Sequence, residues 1–285
     1  MIPSTFDYQR ATSVDDALAK LSATKGEGKV IAGGHSLVPL MKLRLNEPTT
    51  LIDIARIPGL SGIRDDGGDL VIGAGTVHHD VATSTLLRDH CPIMAETAAT
   101  IGDPQVRNRG TLGGSLAHAD PAADYPAAML AVDARICLQG PAGERVVAAN
   151  DFFQDLFTVD LAAEEIITEV RFAPKQTAAY AKLYQRASRF AIVGVAASLD
   201  IADGRVFSAR IGLTGAISHA VRLTQVEEAL VGCDATAASV EHAAEKASNV
   251  TLDGVNADIH ASEAYRRAMV PVFTKRALLA ALERG

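Results

Sequence analysis

Two glycine-rich segments, about eighty residues apart, combine glycines with hydroxyl side chains. The first contains Ala32, Gly33, Gly34, His35, Ser36 and Leu37, and the second contains Gly110, Thr111, Gly113, Gly114 and Ser115. Glycine pairs let the backbone adopt positive φ angles and let a ligand approach the main chain closely. Successive exposed N–H groups then bind an anion, and hydroxyl groups add further donors. Two such loops in one chain predict an elongated ligand with a central pyrophosphate, such as a dinucleotide.

Other patterns that could support chemistry are weaker. A serine hydrolase would have to use Ser36 with His35, but adjacent residues rarely supply both nucleophile and base, and the G-x-S-x-G motif is missing. We therefore expect His35 to shape the loop. His78 and His79 are interpreted as a solvent-exposed pair rather than as metal ligands, because neighbouring residues on a strand point to opposite faces.

The three cysteines, Cys91, Cys137 and Cys233, are far apart in the sequence and form no C-x-x-C motif. They are interpreted as free thiols, so a zinc site, an iron–sulfur cluster and a disulfide framework are not expected in this chain. His118 and Asp120 are interpreted as a pair that stabilises a loop. Any metal redox centre that works with this chain is therefore expected on another subunit.

The composition indicates an ordinary globular protein. The 285 residues are 48% hydrophobic and 21% charged, which suffices for one large or two ordinary domains. The net charge of −7 and the lack of basic runs argue against nucleic-acid binding. Apolar runs such as residues 192–199 are too short to span a bilayer, and the N-terminus does not read as a signal peptide. A cytoplasmic location is expected.

The elements that must position the first segment form a small α/β unit over residues 1–56. Ser13 begins a capping box that predicts a helix, and strands are predicted at residues 29–32 and 50–54. The G-x-G-x-x-G spacing of a Rossmann fold is missing between strand and helix. Beyond this unit, a helix is predicted at residues 92–100, and strands are predicted at residues 69–73, 135–139 and 165–172.

A domain boundary is predicted near residues 174–178, which divides the chain into domains of residues 1–177 and 178–285. Three strands follow it, at residues 180–185, 192–201 and 206–214, with Asp203 and Gly204 as a hairpin turn. Helices are predicted from a second capping box at Thr224, over residues 236–248, and over residues 262–284, where Pro271 is expected to break or kink the helix. Strands followed by helices predict an α+β domain with helices on one sheet face.

Several motifs carry a resemblance to one protein family. Residues 32–39 and 111–115 look like the two FAD-binding loops of the flavoprotein subunits of the molybdenum hydroxylase (xanthine oxidase) family. Residues 101–109 and the helical C-terminus extend this likeness, which is closest to the aerobic carbon monoxide dehydrogenase group, over the whole chain. The resemblance implies a two-part FAD-binding domain of the PCMH or vanillyl-alcohol-oxidase-like type, with subdomains 1–56 and 57–177, followed by an α+β domain with a three-stranded sheet.

The resemblance also implies roles for individual residues. Residues 32–36 and the second segment would bind the FAD pyrophosphate from two sides, and Asp124 would hold the adenosine part, with a helix cap as its alternative role. Leu161 would approach the adenine, while Lys182 and Phe190 would flank the isoalloxazine. In all, the resemblance assigns FAD contacts to Ala32, Gly33, Gly34, His35, Ser36, Leu37, Ile101, Gly102, Gly110, Thr111, Gly113, Gly114, Ser115, Asp124, Leu161, Lys182 and Phe190.

The function that the resemblance implies is electron transfer, with no catalytic residue in this chain. A large subunit with the molybdenum cofactor would oxidise the substrate, and a small subunit would pass electrons through [2Fe-2S] clusters to FAD. FAD would then reduce an external acceptor such as a quinone. The complex would be a dimer of heterotrimers, and the partner subunits would associate this chain with the inner face of the membrane.

Residues 186–190 depart from the carbon monoxide dehydrogenase pattern. They look more like the flavoproteins of N-heterocycle, aldehyde and purine oxidation, which keeps those substrates open. Two further hypotheses are a stand-alone FAD reductase of the same fold and a scaffold that has lost the flavin.

Overall fold

The computed structural model describes residues 1–248 and 254–285, and the first of its units is a small parallel sheet with two helices. Its elements are β1 (Asp7–Arg10), α1 (Val14–Ala23), β2 (Gly28–Ile31), α2 (Leu37–Lys42) and β3 (Thr50–Asp53). The strands are parallel, in the order β1-β3-β2. The predicted cap at Ser13 is confirmed, because its hydroxyl accepts the N–H of Asp16 at 3.0 Å, but the Asp16 carboxylate accepts the N–H of Thr12 at 2.8 Å instead of closing the box on Ser13.

The second unit is an antiparallel five-stranded sheet with several short helices. Its elements are β4 (Ile63–Asp66), β5 (Asp69–Gly73), α3 (His78–Thr83), α4 (Thr85–His90), α5 (Pro92–Thr100), α6 (Pro104–Arg107), α7 (Leu112–His118), α8 (Tyr125–Ala131), β6 (Arg135–Gly140), β7 (Gly143–Ala148), α9 (Ala149–Phe152), β8 (Phe153–Asp155), β9 (Thr158–Val159) and β10 (Ile166–Phe172). The sheet order is β4-β5-β10-β6-β7, and β8 pairs with β9 in a separate ribbon. Alternate residues of β5 and β6, including Leu70, Ile72 and Ile136, bury one sheet face in a core with the helices.

The third unit is an antiparallel sheet followed by helices. Its elements are β11 (Ala178–Tyr184), β12 (Ala191–Ala202), β13 (Arg205–Thr214), β14 (Val221–Arg222), α10 (Thr224–Leu230), α11 (Ala237–Glu245), a 3₁₀ turn (Lys246–Ser248) and α12 (Glu263–Leu282). The hairpin turn is confirmed by positive φ angles at Asp203 and Gly204. The sheet has four strands in sequence order rather than three. The prediction missed β14 because two residues are too short for any periodic pattern.

Both faces of this last sheet are covered, whereas the sequence predicted helices on one face only. Helix α12 packs against β11 and β12, while α5 and α8 of the second unit contact the sheet as well. The residues of β12 from Val193 to Leu199 are accordingly all buried. Gly212 permits the close approach of α8, because a Cβ there would lie 2.9 Å from the carbonyl carbon of Ala127. The two predicted domains therefore share a large apolar contact.

One local prediction about the C-terminal helices is wrong, and a second, that Pro271 breaks the last helix, is wrong as well, while its alternative of a kink stays a prediction. Leu223, not Thr224, precedes α10, because the side chain of Glu227 is buried and accepts the N–H of Ile211 at 2.8 Å instead of capping the helix. Helix α12 also continues through Pro271. Its packing on the sheet offsets the hydrogen bond that proline removes. Across the described residues, no helix is long and apolar enough to cross a membrane.

Candidate functional site

A cleft with a volume of about 680 Å³ lies where the three units meet. Its lining comes from β2 and the turn after it, from the segment between α5 and α7, from residues 157–167 and from residues 188–190. The volume falls in the range of roughly 300–1,000 Å³ that is typical of cofactor sites. The residues from the sequence assignment that line this cleft are Ala32, Gly33, Gly34, His35, Ser36, Leu37, Ile101, Gly102, Gly110, Thr111, Gly113, Gly114, Ser115, Asp124, Leu161 and Phe190.

The first glycine-rich segment forms a tight turn with unpaired backbone donors. Gly34 has a φ angle of +72°, and the His35 Nδ1–H donates to the carbonyl of Gly33 at 3.0 Å, so His35 shapes the turn as expected. Within the described part of the chain, the N–H groups of His35, Ser36 and Leu37 have no acceptor. Consecutive free N–H groups at the start of α2 are suited to binding a phosphate.

The second glycine-rich segment is not a loop, which corrects the sequence prediction. Thr111 caps α7 by accepting the N–H of Gly114 at 3.1 Å, so Gly113 and Gly114 belong to the first helical turn. The N–H of Gly113 donates to the carbonyl of Ala74 at 2.8 Å. The N–H of Gly113 therefore holds α7 on the end of β5, and that of Gly114 is used in the helix cap. The sequence could not indicate the first of these bonds because its acceptor comes from another element.

The glycines make the two segments fit together as well as leaving room for a ligand. A Cβ on Gly33 would overlap the carbonyl of Arg109, reaching 2.7 Å from its carbon. A Cβ on Gly110 would lie 2.6 Å from Nε2 of His78, and one on Gly113 would lie 2.6 Å from Cβ of Ala74. Real Cβ atoms do not come this close to fixed atoms, so only glycine is compatible with the observed backbone. These glycines therefore let the two segments and the residues behind them pack in close contact at the wall of the cleft.

Asp124 lies at the floor of the cleft and is held by the C-terminal sheet. Its carboxylate accepts the Tyr180 hydroxyl at 2.5 Å and the Lys182 ammonium at 2.7 Å. Both side chains of the ion pair are about 95% buried or more, at 3% and 5% exposure. Burial raises the pKa of Asp124 and lowers the pKa of Lys182, and their attraction only partly offsets this desolvation.

Lys182 is the assigned residue that lies behind the cleft rather than in its lining, since its ammonium is directed at Asp124 and at the carbonyl of Thr100 at 3.3 Å. This contact ties β11 to the end of α5, next to Ile101 and Gly102. Asp124 is the residue before α8, yet its side chain caps no N–H group there. The alternative role of Asp124 as a helix cap is therefore wrong.

Ile101 and Gly102 form a turn that Arg107 fixes. The Arg107 guanidinium donates to the carbonyls of both residues, at 2.9 and 3.1 Å. At the other side of the cleft, Leu161 follows Asp160, whose carboxylate is bound by Arg145 at 2.8 Å. Both apolar walls are therefore held by arginine side chains that sequence patterns did not single out.

His78 is buried in the cleft wall, so the interpretation as an exposed pair with His79 is wrong. The residue begins α3 rather than lying on a strand, and its ring packs 5.3 Å from the ring of Tyr125. Desolvation, followed by the nearby positive groups of His35 and Arg107, lowers the pKa of His78 from 6.5 to about 4. His78 is therefore neutral at physiological pH.

His78→Gln is expected to remove part of the acid sensitivity of the fold. The unfolded chain binds a proton at His78 near pH 6.5 and the folded chain only near pH 4, so this residue lowers the stability as pH falls through that window. The shift corresponds to about 3 kcal/mol at most. Chemical denaturation between pH 7 and 4 should show a shallower decline for His78→Gln than for the wild type. The exposed neighbour gives the control: an equal change in His79→Gln would contradict the assignment.

The described residues contain no group of three or more metal-ligating side chains, and the three cysteines are free. Burial raises the pKa of the Cys91 thiol to about 12, so it stays protonated. His118 packs against the ring of Phe157 at 5.2 Å, and Asp120 instead accepts the N–H of Ala122 at 2.8 Å. Asp120 therefore stabilises its own turn and interacts with His118 through charge, without a hydrogen bond between the two side chains.

Comparisons with known proteins match the sequence and the fold of this chain. The FAD binding domain in molybdopterin dehydrogenase matches residues 4–175, and the CO dehydrogenase flavoprotein C-terminal domain matches residues 178–281. The carbon monoxide dehydrogenase medium chain of Hydrogenophaga pseudoflava is 40% identical over 287 residues, covering 100% of this chain and 99% of the relative. The 6-hydroxypseudooxynicotine dehydrogenase complex subunit alpha of Paenarthrobacter nicotinovorans is 38% identical over 291 residues, covering 100% and 97%.

A solved structure of carbon monoxide dehydrogenase from Hydrogenophaga pseudoflava, lacking the Mo-pyranopterin moiety of its cofactor, contains a chain of the same fold. The TM-score is 0.95 at 41% identity, with 100% of this chain and 99% of that chain covered. Both family domains together span nearly the whole sequence. The chain therefore belongs to the FAD-binding flavoprotein subunits of the molybdenum hydroxylase family.

Proposed function

We propose that this chain is the electron-transfer subunit of a molybdenum hydroxylase complex. FAD would supply a two-electron store between the one-electron [2Fe-2S] clusters of a small subunit and an external acceptor such as a quinone. A large subunit with the molybdenum cofactor would oxidise the substrate, and two heterotrimers would form the complex. The cleft with its free N–H groups at His35, Ser36 and Leu37, in a chain that is similar to such subunits throughout, carries this proposal.

The residues of this chain would bind and orient the cofactor. His35, Ser36 and Leu37 donate N–H groups to the pyrophosphate, while Gly33 and Gly110 keep the two segments close enough to enclose it. The N–H groups of Gly113 and Gly114 are used within the protein, so the second segment contributes mainly a wall, with the Ser115 hydroxyl as its donor towards the cleft. Phe190, which is 46% exposed, covers the isoalloxazine end and limits its contact with water.

The contacts of Asp124 favour a structural role over the contact with the adenosine part that the resemblance implied. Both carboxylate oxygens already accept hydrogen bonds, from Tyr180 and Lys182, and the side chain is 5% exposed. We therefore propose that Asp124 supports the cleft floor and fixes the C-terminal domain (residues 178–285) on the FAD-binding domain (residues 1–177).

The substrate of the complex follows from the large subunit rather than from this chain. Identities of 40% and 38% connect the chain almost equally with a carbon monoxide dehydrogenase and with a 6-hydroxypseudooxynicotine dehydrogenase. Carbon monoxide is the first candidate, and an N-heterocycle is the second because residues 186–190 depart from the carbon monoxide dehydrogenase pattern.

The proposal is tested by purifying the complex through a tag on this chain. We expect two further subunits, a flavin absorbance spectrum, and the release of FAD rather than FMN on denaturation. Substrate-dependent bleaching of the flavin should require the large subunit, with carbon monoxide and nicotine-type heterocycles compared as reductants. A complex that contains both partners but no flavin would show that the cleft does not bind FAD.

A further inference from the structure

The ring of His78 lies where the two glycine-rich segments meet. A Cβ on Gly33 would lie 2.9 Å from Cα of Gly110, and a Cβ on Gly110 would lie 2.6 Å from Nε2 of His78. The backbone is held at the same place, because the N–H of His78 donates to the carbonyl of Gly110 at 2.9 Å. All three residues line the cleft. The imidazole is therefore fixed at the junction where the pyrophosphate is proposed to bind.

The imidazole is buried without the hydrogen bonds that a buried polar group normally has. His78 is 5% exposed, and its Nδ1 has no partner among the residues that the structure describes. The ring of Tyr125 packs against it, but the Tyr125 hydroxyl is likewise buried and unpaired. Buried polar groups in proteins are nearly always bound to protein, water or a ligand. His78 is thus a buried polar group in the cleft wall for which the described residues provide no partner.

The charges that act on His78 favour an anion. They belong to His35, when it is protonated, and to Arg107. The Arg107 guanidinium donates to the carbonyls of Ile101 and Gly102, which carry no negative charge to neutralise it. Desolvation, with these two groups, lowers the pKa of the His78 ring to about 4. Because the same positive groups attract a phosphate, an anion at this junction would offset what keeps the proton off His78.

The other charged groups around His78 are directed elsewhere. Glu96 on α5 and Asp124 before α8 are both in ion pairs. Asp103 caps α6 by accepting the N–H of the third residue after it. Arg109 is exposed, as are the two residues that follow His78 on α3. The protein therefore directs no free carboxylate at the imidazole from these elements, and a bound phosphate would be its main source of negative charge.

We propose that His78 is a further FAD-binding residue, whose imidazole binds the pyrophosphate and takes up a proton when the cofactor enters the cleft. This inference rests on the function proposed above. The proton comes from solvent, and the imidazolium that forms donates from both ring nitrogens. Its charge offsets part of the negative charge that the cofactor brings out of water. FAD should therefore bind more tightly as pH falls, because the bound state holds one proton more than the free protein.

The test removes FAD from the purified complex and returns it at about pH 8 and about pH 5.5, on either side of the ordinary range of a histidine. Titration calorimetry in buffers of different ionisation enthalpy counts the protons taken up. The wild type should take up about half a proton or more per FAD at the lower pH, and its dissociation constant should be about threefold smaller there.

Two substitutions separate the proton from the hydrogen bond. His78→Gln keeps an amide donor but cannot be protonated, so affinity at about pH 8 should stay near that of the wild type while proton uptake and tightening at about pH 5.5 are lost. His78→Leu removes the donor as well and should weaken binding about tenfold at about pH 8. A residue that only shaped the wall would lower affinity equally at both pH values and leave proton uptake unchanged.

A neighbouring histidine provides the control. His79 is exposed, so His79→Gln should take up protons and bind FAD as the wild type does. Wild-type binding without proton uptake, or uptake that persists in His78→Gln, would overturn the role of His78 and leave the FAD site in place. Loss of uptake in His35→Gln but not in His78→Gln would assign the proton to His35 and overturn it too. A wild-type complex that binds no FAD at either pH would instead overturn the proposed function.

Discussion

Gly33→Ala is expected to abolish stoichiometric FAD binding. The added methyl group would overlap the carbonyl of Arg109, a backbone atom that cannot move without displacing the turn before Gly110. Overpacking of this kind costs about 1–3 kcal/mol, and each 1.4 kcal/mol that falls on the bound state weakens affinity about tenfold. The measurement is the ratio of FAD to protein in the purified complex, together with the dissociation constant from flavin fluorescence after removal and return of FAD.

A matched control for this change is Gly67→Ala. Gly67 has a positive φ angle of 68°, and a Cβ there meets no atom within 4 Å, so the change costs about 1 kcal/mol of backbone strain outside the cleft. We expect normal flavin content in Gly67→Ala. Equal flavin content in Gly33→Ala would mean that the first segment does not enclose the pyrophosphate. Ser36→Ala should have little effect, since the proposed phosphate donor at this position is the backbone N–H.

Lys182→Met is expected to be the most destabilising single substitution at the cleft. It leaves the Asp124 carboxylate buried without its cation, and breaking a buried ion pair in this way costs about 3–5 kcal/mol. The double variant with Asp124→Asn should recover much of this loss, because no uncompensated charge remains. Chemical denaturation of the purified chain measures the free energy of unfolding of the wild type, of each single variant and of the double variant. The double-mutant cycle then gives the coupling energy between the two side chains.

An exposed ion pair provides the control for the buried one. Arg205 and Asp234 are 66% and 70% exposed at their side chains, so Arg205→Met should change stability by only about 0.2–1 kcal/mol. A similarly small effect of Lys182→Met would show that the pair contributes little to the floor of the cleft. A loss of flavin in Lys182→Met at unchanged stability would instead indicate that Lys182 binds the cofactor directly, as the resemblance implied.

Helix ends and turns that depend on residues close together in the sequence could be predicted from the sequence. The Ser13 cap, the helix that begins at Pro92, and the hairpin at Asp203 and Gly204 depend on interactions between residues close in sequence. The predicted capping box at Thr224 failed for the opposite reason, since Glu227 is bound by Arg222 and by the backbone of β13. A local motif does not reveal a competing partner from another element.

The sequence by itself determined the family through its motifs, and the resemblance to that family indicated the residues that line the cleft, with Lys182 as the exception. Only the tertiary structure decided what those residues do there. The first glycine segment has free N–H groups, while the N–H of Gly113 in the second holds α7 against Ala74. His78 is buried and neutral, and Asp124 is bound by Lys182. Burial and hydrogen-bond partners are set by elements far apart in the chain, and no local pattern contains them.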